Sequence, residues 1–77
     1  MNYDHRLTGR IVRRLRRQRG LSQEVLSGLA DISRSHLAEI EAGRVRPTVE
    51  TLWRLAEALE LPLSALFALI EEEHRKE

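Results

Sequence analysis

The sequence predicts an all-α fold of five helices. Apolar residues recur at helical spacing along almost all of the 77-residue chain, and no alternating strand pattern of useful length occurs. Glycines and prolines separate the periodic segments, and Ser or Thr stands where several of them begin, as is typical of helix caps. Because the chain has no cysteine, its stability must come from helix packing, which a subunit interface can supplement.

The first two helices are predicted from short apolar stripes. Helix one should run from about Thr8 to Gln18 after an N-terminal tail of residues 1–7, with Gly20 in the left-handed position that ends a helix. Ser22 can cap helix two, QEVLSGLA. The stripes consist of Leu7, Ile11, Val12 and Leu15 in helix one, and of Val25, Leu26, Leu29 and Ala30 in helix two.

The last three helices follow the same rules. Ser33 can cap helix three, which should end at Gly43, and Thr48 can cap helix four. Helix five should start near Pro62, a position that suits proline, and the folded domain of residues 8–73 leaves a charged tail, 74–77. The residues expected to face inward are Leu37, Ile40, Val49, Leu52, Trp53, Ala56, Leu59, Leu63, Leu66, Phe67 and Ile70.

The connection between helices two and three points to a function. Only Ala30 to Ile32 separate the two helices, and so short a link forces a steep crossing, which is the helix-turn-helix arrangement (about residues 22–41). The second helix then projects towards a DNA major groove. Short side chains on its outer face, Ser35, Ala38 and Ala42, let the backbone approach base edges, and the longer Arg34 and Glu39 can reach hydrogen-bonding groups there.

Charge is polarised along the chain. Residues 1–47 contain ten arginines and five acids, whereas residues 48–77 contain three basic residues and seven glutamates. This asymmetry favours an anionic partner for the first part, although a solvated charged surface would give the same count.

The motifs carry a family resemblance. Residues 9–70 closely resemble the Cro/lambda-repressor-type (XRE) DNA-binding family through LR at 15–16, GLSQE at 20–24, ISRSHLAEIEAGR at 32–44, Pro47 with Thr48, and LAEALELPLSALF at 55–67. The resemblance implies a lambda-repressor-like fold and a regulator that binds double-stranded DNA sequence-specifically. It would bind a near-palindromic operator as a homodimer, with helix three in the major groove.

The resemblance also implies individual roles. Gln23 would bind a phosphate and brace Arg34; Arg34, Ser35 and Glu39 would read bases, and His36 a base or a phosphate. Arg44, Arg46 and Thr48 would contact the DNA backbone, and Arg16 would pair with Glu41. Among the other arginines of helix one, Arg10 is favoured as a phosphate contact. Asp31 and Glu60 stand where relatives have a left-handed glycine, which puts the exact turn geometry in question.

Helix five carries more apolar surface than one core-facing stripe requires. We expect a homodimer through Leu66, Leu69 and Ile70; the alternative is a terminal helix buried on helices one and four. The size and this ending resemble controller proteins of restriction-modification systems, but short phage repressors and single-domain antitoxins fit too. Glu24 occupies a place from which some relatives contact RNA polymerase.

Other functions find little support in the sequence. His36 and Glu39 have metal-site spacing but no third ligand, and no cofactor or enzyme motif is present. No apolar run is long enough for a membrane span, so a cytoplasmic protein is expected. The rival interpretation is an adaptor or antirepressor that keeps this fold without binding DNA.

Overall fold

The computed structural model describes residues 3–77 and folds them into five α-helices without a strand. They are α1 (His5–Gln18), α2 (Gln23–Ala30), α3 (Arg34–Glu41), α4 (Val49–Ala58) and α5 (Leu63–Arg75). The prediction of an all-α, five-helix fold is therefore confirmed. Within the described range, no helix is long and apolar enough to cross a membrane.

The first helix begins earlier than predicted. Asp4 is its N-cap, and its carboxylate accepts a hydrogen bond of 2.9 Å from the amide of Arg6. Leu7 is buried on the same stripe as Ile11, so packing supports the extra turn. The proposed tail of residues 1–7 is thus wrong for residues 5–7, and α5 likewise extends to Arg75, into the proposed C-terminal tail. Residues 1 and 2 lie outside the described range.

Four helices end in the same backbone motif. A left-handed residue follows each of them: Gly20, Asp31, Gly43 and Glu60. The amide after the left-handed residue then donates back to the last turn; the Ile32 amide, for example, donates to the Ser27 carbonyl oxygen at 3.0 Å. Asp31 and Glu60 therefore adopt the left-handed conformation at the two positions where the resembling family usually has glycine.

Two apolar clusters form the core on either side of α1. The first joins α1 to α2, α3 and α4, and its buried members are Val12, Leu26, Ala30, Leu37, Ile40, Leu55 and Leu59. The second joins α1 to α4 and α5 through Ile11, Leu52, Ala56, Leu66 and Ile70. As a result α3 is packed only along its inner side, and its outer side is available to a partner.

Several residues predicted to face inward lie on the surface. Val49 and Trp53 are 60% and 57% exposed, because α4 buries the side centred on Leu52, Leu55, Ala56 and Leu59. Val25 and Leu29 are exposed on α2 for the same reason, since Leu26 and Ala30 already fill the contact, and Phe67 is partly exposed on α5.

Candidate nucleic-acid interface

The turn between α2 and α3 holds the second helix out from the domain. Asp31, in the left-handed conformation, ends α2, and the hydroxyl of Ser33 then caps α3 by accepting a hydrogen bond of 3.0 Å from the His36 amide. On its inner side α3 buries Leu37 and Ile40. The helix is therefore fixed at its N-terminus by the cap and along its inner side by packing.

The outer side of α3 is open in its first turn. Arg34 and Ser35 are exposed, while His36, Ala38 and Glu39 are partly exposed. Among residues 3–77, the Arg34 side chain has neither a hydrogen bond nor an ion pair. In the described part of the chain no side chain covers this turn, so its polar groups are accessible to a partner.

A buried hydrogen-bond network joins α1, α2 and α3. Arg16 donates to both carboxylate oxygens of Glu41, from Nε at 2.7 Å and from Nη2 at 3.0 Å. The Arg16 and Glu41 side chains are only 11% and 3% exposed, and these hydrogen bonds raise the pKa of Arg16 above its ordinary value. The structure thus contains the ion pair that the resemblance implies.

Gln23 takes part in the same network. Its side-chain amide nitrogen donates to Glu41 Oε1 at 3.1 Å, so in this structure it does not brace Arg34. The hydrogen bond leaves the amide oxygen of Gln23 without a protein partner in the described chain and fixes the start of α2 against α3. Sequence spacing alone could not show this contact, since the residues are 18 positions apart.

The loop after α3 presents further polar groups. Arg44 Nη1 donates to Glu39 Oε2 at 3.1 Å, so these two predicted DNA contacts are paired with each other across an exposed surface. Arg46 is exposed and has no ion pair within residues 3–77. The hydroxyl of Thr48 accepts a hydrogen bond of 3.1 Å from the Thr51 amide and so caps α4.

Two arginines of α1 pair with acids in α5 and just after it. Arg14 donates to Glu73 at 2.8 Å, and Arg10 donates to Glu77 at 3.1 Å. The hydrogen bond from Arg14 lowers the pKa of Glu73 below its ordinary value, so that carboxyl is charged at neutral pH. Arg10, the arginine of helix one that was favoured for phosphate binding, is thus already paired with an acid.

The predicted dimer residues divide between core and surface. Leu66 is completely buried and Ile70 is 8% exposed, because both pack on α1 and α4 of their own chain. Placing these two side chains in a dimer interface is therefore wrong. Leu69, the third, is 38% exposed and can meet a partner.

Comparison with known proteins decides the family. A helix-turn-helix family model, HTH_3, matches residues 12–66. This chain belongs to that family. Over 54 residues it is 44% identical to the HTH-type transcriptional regulator y4dJ of Sinorhizobium fredii, covering 70% of each protein. It is 40% identical over 68 residues to the immunity repressor protein of Bacillus phage phi105, covering 84% of this chain but only 47% of that repressor.

Solved structures agree with the sequence comparison. The restriction-modification controller protein C.AhdI of Aeromonas hydrophila is 34% identical and superposes with a TM-score of 0.80, covering 83% of this chain and 97% of that one. The controller protein C.Esp1396I, bound as a tetramer to its 35 base-pair operator, has the same fold at 19% identity, with a TM-score of 0.85 and coverage of 95% and 96%. The resemblance to the XRE type is thereby confirmed, and the chain is a transcriptional regulator with a helix-turn-helix fold.

Within residues 3–77, no group of three potential ligands from His, Cys, Asp and Glu could hold a metal ion. The pair His36 and Glu39 accordingly has no third ligand nearby, and its two side chains belong to the polar outer surface of α3.

Proposed function

We propose that this protein binds double-stranded DNA sequence-specifically as a homodimer and regulates transcription from a near-palindromic operator. The observation that carries the proposal is the exposed first turn of α3, where the Arg34 and Ser35 side chains have no competing contact from residues 3–77. Two such helices would enter successive major grooves, about 34 Å apart. The role implies a cytoplasmic location, where the chromosome is.

The proposed contacts fall into two classes. Arg34, Ser35, His36 and Glu39 would read base edges, since they lie on the outer side of α3. Gln23, Arg44, Arg46 and Thr48 would bind phosphates around the groove. Glu39 would have to leave Arg44 to read a base, which costs little because an exposed ion pair contributes only about 0–1 kcal/mol.

Within the family, a restriction-modification controller is the subtype we favour. The support is the likeness to C.AhdI, of which this chain covers 97%. Glu24 is exposed in the first turn of α2 and would be the residue that contacts RNA polymerase if the protein activates transcription. A reporter activated equally by wild type and by Glu24→Ala would remove that role.

Replacement of Arg34 tests base reading. Arg34→Ala should weaken binding to the preferred site by about 1–3 kcal/mol and relax the choice of base at one position per half-site, because a bidentate contact is lost. The preferred site is first selected from random DNA with the wild-type protein, and affinities for it and for single-base variants are then measured by mobility shift.

Arg75→Ala is the matched control for this experiment. It removes the same charge from the exposed end of α5, where Arg75 pairs with Glu72, so site preference should stay unchanged. If Arg34→Ala weakened binding to all sequences equally, Arg34 would be a backbone contact. If the wild type bound no duplex even at low salt, the adaptor interpretation would replace this proposal.

A further inference from the structure

The arginines of residues 3–47 divide according to whether an acid neutralises them. Six of them pair with Asp or Glu across distances of 2.7 to 3.6 Å: Arg6, Arg10, Arg14, Arg16, Arg19 and Arg44. Four have no acidic partner in the described chain: Arg13, Arg17, Arg34 and Arg46. Positive charge is therefore left uncompensated at a few positions only, and those positions decide where an anion is attracted.

The two arginines of α1 that have no acidic partner lie beside α3, the second helix of the helix-turn-helix. Arg13 and Arg17 are one turn apart, and with Arg16 between them they line a groove of about 360 Å³. The opposite wall of the groove is formed by Ala38 and Glu41 of α3, by Ala42 at the end of that helix, and by Gln23 at the start of α2. The Glu41 carboxylate is already bound by Arg16 and Gln23. The small alanine side chains leave room along the edge of α3 for an extended ligand that runs parallel to the helix.

The paired arginines of α1 share one exposed surface with Arg13 and Arg17 but are compensated by acids. Arg10 pairs with Glu73 of α5 and with Glu77, which follows α5, and Arg14 pairs with Glu73. The two pairs of arginines therefore differ in compensation although they are neighbours on one surface. Arg13 and Arg17, which also border α3, keep their positive charge uncompensated within residues 3–77, and this distribution attracts a polyanion to the α3 side.

We infer that Arg13 and Arg17 bind phosphates of the DNA strand that borders the major groove occupied by α3. The inference rests on the proposed function, since it requires α3 in that groove. Exposed guanidinium groups bind phosphate oxygens well, and nothing in residues 3–77 competes for these two. Such contacts fix the position of the protein on the duplex without reading its sequence.

A pair of charge-matched variants tests the inference. Arg13→Gln with Arg17→Gln, and separately Arg10→Gln with Arg14→Gln, each remove two positive charges from α1. Binding is measured on a 20-base-pair duplex of mixed sequence and on a site selected with the wild type, from 50 to 200 mM salt. Thermal unfolding by circular dichroism checks that both variants are folded.

The first variant should lose roughly tenfold in affinity per contact near 0.1 M salt, equally on both duplexes, and its log–log salt slope should become about 1.8 shallower. The Arg10 and Arg14 variant should keep nearly the wild-type slope. Arg13→Lys with Arg17→Lys should restore the slope, because lysine keeps the charge.

Equal slopes for the two glutamine variants would overturn the inference and leave the proposed function intact, since the effect would then be one of net charge. A loss confined to the selected site would also overturn it, because phosphate contacts carry no sequence preference. A wild type that binds neither duplex would overturn the inference together with the proposed function.

Discussion

Gly9 lies where α1 packs closely against the backbone at the end of α3. A Cβ atom built there would collide with the carbonyl oxygen of Ile40 and lie 3.0 Å from that of Glu41, both of them backbone atoms that cannot move aside alone. Gly28, in the middle of α2, has no atom within 4 Å of the corresponding position. Packing therefore requires a glycine at position 9 but not at position 28.

Alanine at each position should separate these cases. Gly9→Ala should destabilise the protein by about 1–3 kcal/mol, because α1 must move away from the end of α3. Gly28→Ala should stabilise it by up to about 1 kcal/mol, since alanine is the better helix former and meets no neighbour. Urea unfolding measures both, and equal effects of the same sign would contradict this account.

At the residue scale, the sequence predicts which kinds of side chain lie at the site better than it predicts which residues they contact. The pairing of Arg16 with Glu41 follows from the family resemblance, but Gln23 as a second donor to Glu41 does not, because it depends on how three helices meet. The pairing of Arg10 could not be predicted for the same reason, since its acidic partners, Glu73 of α5 and Glu77 just after it, lie more than sixty residues away.

At the scale of helices, the ends are the best-defined features of this chain. Ser22, Ser33 and Thr48 each accept a hydrogen bond from the amide three residues later. The matching left-handed ends include two residues with a side chain, Asp31 at φ 56° and Glu60 at φ 62°. Glutamate tolerates this conformation less well than aspartate or glycine, so the end of α4 carries avoidable strain.

Glu60→Gly should relieve that strain. We expect a gain of up to about 1 kcal/mol in the free energy of unfolding, after allowance for the greater freedom of glycine in the unfolded chain. The exposed contact of Glu60 with Arg19, at 3.6 Å, contributes little and is a small loss. Thermal and urea unfolding give the measurement.

Glu57→Gly is the control for this change, because it places the same substitution inside α4, where the helix needs no left-handed residue. It should cost about 1 kcal/mol. Destabilisation of similar size by both substitutions would show that φ at position 60 carries no strain.

Helix boundaries were predictable wherever a capping residue stands beside a clear apolar stripe. The start of α1 was missed because Asp4, an equally good cap, lies ahead of the two polar residues His5 and Arg6. The orientation of α4 was missed because Val49 and Trp53 are spaced one turn apart, like core residues, and only the positions of α2 and α5 decide which side is covered.

At the scale of the whole molecule, the described chain presents the polar outer side of α3 and, on α5, a second surface with acids and exposed apolar side chains. Leu69 and Phe67 remain exposed on α5 after Leu66 and Ile70 have been buried in the core. The proposed dimer therefore depends on side chains at the edges of the α5 stripe, which is a narrower surface than the sequence suggests.

Leu69→Glu should weaken the dimer, because it introduces a charge into an apolar contact. Sedimentation equilibrium at tens of micromolar should show the wild type near twice 8.9 kDa and the variant shifted towards a single chain. Leu29→Glu is the control, since Leu29 is even more exposed but lies on α2. A wild type that sediments as one chain would exclude the homodimer.

In the free protein α3 is already fixed in position. Ser33 caps its start, the left-handed Gly43 ends it, and Glu41 at its last turn is hydrogen-bonded to Arg16 and Gln23. Within residues 3–77 the turns on both sides of α3 are already fixed by these contacts, so in the proposed complex the entropic penalty of binding would fall on a few long side chains. In the proposed complex, a helix fixed in this way would not reshape itself around a poorly matched operator. Discrimination between operators would then depend on how well the side chains of α3 match the base edges. Binding to a variant site would require the DNA, and not the protein, to deform.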